Sequence, residues 1–266
     1  MSDHVPFHEV GSLFPEEYSI VSVEPATPVA AALAIMLEKR YSQLPVVDGG
    51  TLRGVFSLWS LAHQIADAPQ LKIADLKVAD VMEDLPAVTV SDSLHSILQL
   101  LNHHDALLVN SPHGLQAVAT PIDVLKYFYS VAQPFILVQE IELALRDLIT
   151  HCAGTGLPEC IEHALGSTYQ RTNRPLPTDL YEMTFDDYRA LITTKSNWPL
   201  FEPIFGSNRE LVVAKLSRAR DIRNEVLHFR PHISVLDYET LTRTRQWLLD
   251  KEKQARKAPK EKTNAT

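Results

Sequence analysis

Residues 20–128 contain two stretches that repeat one pattern at a fixed spacing. Ser57 and Thr120 each end a short apolar run, and they lie 63 positions apart. Ser60 and Asp123 follow them by three positions and are separated by the same 63 positions. A fixed spacing between matching positions indicates a duplicated structural unit, and such copies usually pack against each other. This part of the chain is therefore expected to fold as two similar halves.

Each copy alternates short apolar runs with helix-periodic runs, which is typical of an α/β unit. In the first copy the pattern predicts a strand at 21–23, a helix at 29–39, strands at 44–47 and 54–57, and a helix from Ser60. In the second copy it predicts a strand at 88–90, a helix at 94–102, strands at 106–109 and 117–120, and a helix starting near Ile122. Both copies thus have the order β-α-β-β-α.

The repeat resembles a pair of CBS domains over residues 1–130. Residues 42–48 read Ser-Gln-Leu-Pro-Val-Val-Asp, and they lead into Gly-Val-Phe-Ser at 54–57. This resemblance implies a regulatory module with two clefts that commonly hold adenosine-containing ligands. The implied ligand is AMP, ATP or an S-adenosyl compound such as S-adenosylmethionine.

The CBS resemblance also implies which residues hold the ligand. A Ser or Thr that ends the last strand, and an Asp three residues later, would bind the ribose hydroxyls. Thr120 and Asp123 fit both positions, whereas the first copy has Ser57 but Ser60 where Asp is expected. One competent site and one weaker or empty site are therefore expected. The alternative is that Thr120 and Asp123 only cap the helix that follows them.

From 133 to 250 the sequence predicts helices alone, so this region is expected to be an all-α domain. Its start and stop signals are Gly154 after a periodic run at 135–152, a capping box at 184–187 ahead of a helix at 185–193, a second box at 207–210 ahead of a long helix, and Pro231 after that helix. Residues 167–183 are expected to form a long loop. A last helix is expected at 236–255, and the basic segment 251–266 is expected to be a disordered tail.

Arg223, Asn224 and His228 lie near the end of the predicted long helix. Asn224 and His228 are four positions apart and so share one helix face. Histidine titrates near neutrality and can accept or donate a proton, while arginine can hold a phosphate through paired hydrogen bonds. These residue types are sufficient for RNA cleavage without a metal. The alternative is a solvated arginine and a histidine that ends a helix.

This region, at 133–250, resembles the HEPN superfamily, whose signature is an Arg, a polar residue and a His four to six residues later. Glu142 and Arg146 resemble the first HEPN helix, in which an acidic residue precedes Leu-Arg. The family implies a helical bundle that forms a homodimer, and a metal-independent endoribonuclease that leaves 2′,3′-cyclic phosphate ends, typically in prokaryotic defence, stress response or toxin systems. It also implies roles: His228 as acid and base, Arg223 on the phosphate, and Asn224 as a helper.

Charge and composition narrow the partners. Residues 1–130 carry 6 basic and 15 acidic side chains, so AMP or an uncharged adenosyl compound is easier to accommodate there than ATP. No zinc-knuckle spacing is present around the two cysteines, and neither a metal nor a membrane span is expected. The chain is thus expected to be a cytoplasmic, ligand-regulated ribonuclease that acts on RNA. The alternatives are a non-catalytic sensor whose helical domain binds RNA or a protein, and a toxin with an antitoxin partner.

Overall fold

The computed structural model describes residues 9–14, 20–112, 114–228 and 233–257. The chain divides into two compact units, Met1–Tyr129 and Ser130–Thr266. Each unit is described by itself below.

The first repeat consists of two helices and a β-hairpin. Its elements are α1 (Val29–Lys39), β1 (Gln43–Asp48), β2 (Thr51–Ser57) and α2 (Leu58–Asp67). The strands pair antiparallel, and Gly49 and Gly50 form the turn between them with φ of 55° and 80°, a conformation that favours glycine. The predicted strand at 21–23 is reduced to one parallel bridge from Val23 to Val46. The order of elements otherwise agrees with the prediction.

The second repeat has the same order of elements. They are β3 (Ala87–Thr89), α3 (Leu94–Leu101), β4 (Leu107–Ser111), β5 (Gly114–Ala119) and α4, which begins at Pro121. β3 pairs parallel with β4, and β4 pairs antiparallel with β5. The predicted α/β character of this half of the chain is therefore confirmed, and both repeats place a helix directly after their last strand.

Each repeat has an apolar core of its own. The first contains Met36, Leu44 and Phe56, which are at most 2% exposed. The second contains Ile97 and Val109, which are fully buried. Burying a side chain of this size stabilises a fold by about 1.5–3 kcal/mol. Strand and helix ends beside these cores are therefore held in place.

The second unit is largely helical, as predicted. α4 continues through it to Ala153 and is followed by α5 (Leu157–Arg171), α6 (Phe185–Thr193), α7 (Trp198–Phe205), α8 (Arg209–Leu227) and α9 (Val235–Lys257). The core of the unit is formed by apolar side chains from all of these helices. Its fully buried members include Leu145, Tyr188, Phe201, Leu216 and Leu241.

Asn197 fixes the corner between α6 and α7. It is 1% exposed, and its amide Nδ2 donates to the carbonyl oxygens of Cys160 at 2.9 Å and Leu191 at 3.1 Å. A buried amide that loses such partners costs about 1–3 kcal/mol. Asn197 therefore has a structural role in joining α5 to the end of α6.

Several predicted boundaries were wrong. The helices expected from Ile122 and at 135–152 are one helix, Pro121–Ala153, which contains Pro134. Tertiary contacts override the local preference of proline here, since Pro134 lacks only one backbone donor. The expected loop at 167–183 holds the end of α5 and a 3-10 turn at Leu180–Glu182. α9 extends to Lys257, so 251–257 is helical and not a disordered tail, while 258–266 lies outside the described residues.

The start of α8 also differs from the prediction. Asn208 caps the helix, because its Oδ1 accepts from the backbone N–H of Leu211 at 2.9 Å. Ser207 was expected at that position, with Glu210 as its partner. Glu210 instead pairs with Arg209 at 2.9 Å. Asn and Ser cap helices about equally well, so the sequence pattern alone could not choose between neighbours.

No helix among the described residues is both long enough and apolar enough to cross a bilayer.

Candidate functional site

Glu142, on α4, joins two arginines from different parts of the second unit. Its Oε1 accepts from Nε of Arg223 on α8 at 3.0 Å, and its Oε2 accepts from Nη2 of Arg146 at 3.3 Å. The three side chains are 17%, 27% and 20% exposed, respectively. Partial burial strengthens these charge-assisted hydrogen bonds relative to a fully exposed pair. The structure thus brings together three of the residues that sequence analysis singled out.

Arg146 connects this pair to a tyrosine that sequence analysis missed. Its Nε donates to the hydroxyl oxygen of Tyr188 at 2.7 Å, and that hydroxyl donates to the carbonyl of Leu180 at 2.6 Å. Tyr188 is fully buried. Burial raises the pKa of the Tyr188 hydroxyl, and the neighbouring Arg146 opposes part of that rise. Tyr188 therefore stays protonated and fixes the direction of Arg146.

The Arg146 guanidinium also lies between two aromatic rings. Its central carbon is 4.8 Å from the centre of the Tyr181 ring and 5.5 Å from that of Tyr188. Both distances are within the range of cation–π attraction. Tyr181 belongs to the 3-10 turn Leu180–Glu182 and is 76% exposed, whereas Tyr188 is buried.

Arg223 and Asn224 lie in the last turns of α8, and His228 is the residue that ends the helix. Nη1 of Arg223 donates to Oδ1 of Asn224 at 3.2 Å. The backbone N–H of His228 donates to the carbonyl of Asn224 at 3.0 Å, and His228 is exposed. The Asn224 side chain thus bonds Arg223, whereas sequence analysis expected it to orient the histidine or the phosphate.

The group has a net positive charge and both solvent access and rigid support. Two guanidinium groups face one carboxylate, so one positive charge remains for an anion. Arginine binds phosphate oxygens through planar, paired donors. His228 lies one helical turn beyond Asn224 and is open to solvent. The arrangement can therefore hold a phosphate and place a proton-transferring group near it.

A second pair ties α4 to α9 beside this group. Glu140 on α4 accepts from both Nε and Nη2 of Arg245, with the latter distance 3.0 Å. Hydrogen bonding to Glu140 raises the pKa of Arg245. This contact gives the first-helix carboxylates two different jobs: Glu142 faces Arg223, and Glu140 holds α9.

In the second CBS-like repeat, Thr120 and Asp123 contact each other directly. The Thr120 hydroxyl and backbone N–H both donate to Oδ2 of Asp123, at 2.5 Å and 3.0 Å. This is the geometry of a helix cap, and it places a carboxylate and a hydroxyl together where β5 meets α4. The same pair is positioned to accept hydroxyl donors from a bound ribose.

In the first repeat, a carboxylate comes from outside the repeat pattern. The Ser57 hydroxyl accepts from the N–H of Ser60 at 2.8 Å and donates to Oε1 of Glu83 at 2.6 Å. Glu83 is held against β2 by two backbone bonds to Val55, at 2.8 Å and 2.9 Å. A Cβ on Gly54 would lie 2.9 Å from the Glu83 carbonyl oxygen, so this close approach requires glycine.

Tyr181, Tyr188 and Glu83 are the residues that sequence analysis missed. The two tyrosines follow the loop expected at 167–183, and no spacing links them to Arg146, which lies 42 positions before Tyr188. Glu83 lies 26 positions after Ser57, in a segment without a repeat counterpart. A local motif signal is absent in each case, because the contacts are made only when distant segments pack.

Comparisons with known proteins support part of this description. Residues 16–67 match the family model of the CBS domain. The fold of a CBS domain-containing protein from Bacillus anthracis matches with a TM-score of 0.41 and 22% identity, covering 47% of this chain and 96% of that one. CBSX2 in complex with AMP matches with a TM-score of 0.40 and 26% identity, covering 47% and 98%. A CBS-domain containing protein from Agrobacterium tumefaciens matches with 0.42 and 15%, covering 48% and 98%.

No curated protein matches the chain. The family match spans the first repeat and ends at Asp67, the last residue of α2. It includes the hairpin and Ser57, whose contacts are given above. Residues 16–67 of this chain are a CBS domain.

Proposed function

We propose that the protein is a metal-independent endoribonuclease of the HEPN type, regulated by an adenosine-containing ligand bound to its paired CBS repeats. The observation that carries the proposal is the contact group of Glu142, Arg146 and Arg223. It holds two guanidinium groups beside Asn224, on the helix that ends at His228. A rigidly supported arginine and an exposed histidine near it match the requirements of phosphodiester chemistry.

The proposed reaction is an internal transfer at one phosphate of RNA. His228 takes the proton of a ribose 2′-hydroxyl, whose oxygen forms a bond to the adjacent phosphorus. The bond from phosphorus to the 5′-oxygen of the next nucleotide breaks, and that oxygen takes up a proton. The products are a 2′,3′-cyclic phosphate and a 5′-hydroxyl, so no water or metal is consumed. Arg223 stabilises the negative charge that builds on the phosphate oxygens.

The regulatory ligand is proposed to bind at Thr120 and Asp123, with its ribose hydroxyls on the Asp123 carboxylate. An AMP complex of CBSX2 is among the similar structures, which supports an adenine nucleotide as the first compound to test. The acidic balance of residues 1–130 favours AMP, adenosine or S-adenosylmethionine over ATP. A ligand can regulate cleavage only if it prefers one arrangement of the protein, and a homodimer with two facing HEPN motifs would supply such arrangements.

RNA incubated in EDTA with the wild type, Arg223→Ala and His228→Ala tests the proposal. The wild type is expected to cleave and to leave 2′,3′-cyclic phosphate ends, and either variant to lose at least about 100-fold in rate, as removal of one acid–base or charge-stabilising group typically does. Arg243→Ala, an exposed residue on α9, is the control and should cleave normally. AMP, ATP and S-adenosylmethionine, each added to a separate arm, test regulation. Cleavage that persists in His228→Ala would refute the proposed mechanism.

A non-catalytic sensor is the second candidate, and one observation favours it. Arg223 already has partners in Glu142 and Asn224, so its guanidinium is held in a stable contact without any ligand. In that case the helical unit would bind RNA or a protein, including an antitoxin, without cutting RNA. Binding of RNA by the wild type with no cleaved product, under every ligand condition, would select this candidate.

A further inference from the structure

Tyr181 differs from the other aromatic residues of the second unit. Among the described residues of Ser130–Thr266, it is the only aromatic residue that is exposed, at 76%. A large ring left in water has lost the favourable burial that the other rings of this unit gain. Its exposure therefore calls for an explanation beyond folding.

The surroundings of Tyr181 hold the residue in place while one ring face stays open. Its backbone N–H donates to Oδ1 of Asp179 at 2.8 Å, and the carbonyl of the preceding Leu180 accepts from the buried Tyr188 hydroxyl at 2.6 Å. The Arg146 guanidinium lies 4.8 Å from the ring centre. A ring held in this way loses little conformational freedom when a ligand stacks on it.

The position of the ring relative to the arginines indicates the ligand. Arg146 bonds Glu142 at 3.3 Å, and Glu142 bonds Arg223 at 3.0 Å, so the exposed ring lies two contacts from the proposed phosphate-binding arginine. Single-stranded RNA is bound by this combination: guanidinium groups contact the backbone, and aromatic side chains stack on unpaired bases.

We propose that Tyr181 is the base-stacking platform of the RNA site, on which a base close to the scissile phosphate stacks. The inference rests on the proposed RNA function and adds a specificity residue to it. Stacking on a ring accepts every base, because each base has a π-face. Tyr181 therefore contributes affinity for unpaired RNA over duplex RNA and little preference among bases.

The test measures binding of full-length protein to a 2′-O-methyl oligonucleotide, whose blocked 2′-oxygen prevents cleavage. Wild type, Tyr181→Ala, Tyr181→Phe and Tyr181→Leu are compared by fluorescence anisotropy, with a 2-aminopurine base reporting stacking. Tyr181→Ala and Tyr181→Leu are expected to bind about 5- to 150-fold more weakly and to lose the fluorescence quenching. Tyr181→Phe keeps the ring and is expected to bind like the wild type.

Leu211→Ala is the matched control, because Leu211 is a similarly exposed apolar residue at 52% in the first turn of α8. It should leave RNA binding unchanged. Wild-type binding with unchanged affinity in Tyr181→Ala would overturn the stacking role while leaving the RNA function intact, and the ring would then be a protein contact or a cover for Arg146. Equal losses in Tyr181→Phe and Tyr181→Ala would also overturn it. If the wild type binds no RNA, the proposed function and the stacking role both fail.

Discussion

The carboxylate of Glu142 accepts the Nε–H of Arg223 at 3.0 Å, although the two residues are 81 positions apart. Its other oxygen accepts from Arg146, one helical turn further along α4. Glu142 thus compensates two partly buried cations at once. It fixes the guanidinium on which the proposed RNA chemistry depends, and its loss should affect both stability and cleavage.

Glu142→Ala is expected to lower the free energy of unfolding by about 2 kcal/mol, because two partly buried guanidinium groups lose their acceptor. Glu142→Gln keeps one acceptor oxygen and should lose less. Urea unfolding measures both. The control is Glu239→Ala, which breaks an exposed pair with Arg243 and should change stability by about 0.5 kcal/mol or less. Equal losses in Glu142→Ala and Glu239→Ala would show that the buried bridge adds nothing.

Asp123→Asn is expected to weaken adenosine or AMP binding about 10-fold or more, because a carboxylate that accepts ribose hydroxyls becomes an amide with half the acceptor capacity. Isothermal titration calorimetry with each compound measures the effect. Asp80→Asn is the matched control, since Asp80 accepts the backbone N–H of Lys77 at 2.9 Å in a similar cap. Unaltered affinity in Asp123→Asn would leave Thr120 and Asp123 as a helix cap alone.

Gly54→Ala is expected to destabilise the first repeat by about 1–3 kcal/mol, because its Cβ would press on the Glu83 carbonyl at 2.9 Å. The same change should move Glu83 away from Ser57. Gly156→Ala is the control, because no atom lies within 4 Å of a Cβ there. That variant should be neutral or slightly stabilising. Thermal unfolding of both variants decides the point, and similar melting temperatures would contradict the close contact.

Cys152 is expected to be a poor nucleophile in the folded protein. Burial disfavours the thiolate and raises the pKa of Cys152 to about 11, and burial raises that of Cys160 as well. Since the thiolate is the reactive form, alkylation at pH 8 should be at least about 100-fold slower in native than in urea-unfolded protein. Its rate in the native protein should rise as pH approaches 11.

The same shift affects stability in a defined direction. A thiol whose pKa is higher in the folded protein stabilises the fold fully below its unfolded pKa, and this contribution is lost as pH rises towards 11. Mass spectrometry after iodoacetamide treatment reports each cysteine separately. Native and unfolded rates within about threefold of each other at pH 8 would contradict the burial effect.

Local signals predicted the secondary structure well wherever the pattern was complete within one element. The helix predicted at 29–39 is α1, and the capping box at Thr184 and Asp187 opens α6 as expected. Signals that depend on neighbours failed. The proline at 134 does not end α4, and Asn208 rather than Ser207 caps α8. In both cases several local arrangements have similar free energies, and packing selects one of them.

The sequence by itself determined the β-α-β-β-α order of both repeats, the helical character of the second unit, and the presence of Arg223, Asn224 and His228 at the end of one helix. These features follow from periodicity, turn residues and spacing, which act over a few positions of chain. Only the tertiary structure decided that Glu142 bridges Arg223 and Arg146, that Tyr188 orients Arg146, and that Glu83 reaches Ser57. Those contacts join residues 26 to 81 positions apart, and such distances in sequence are closed only when the apolar cores assemble.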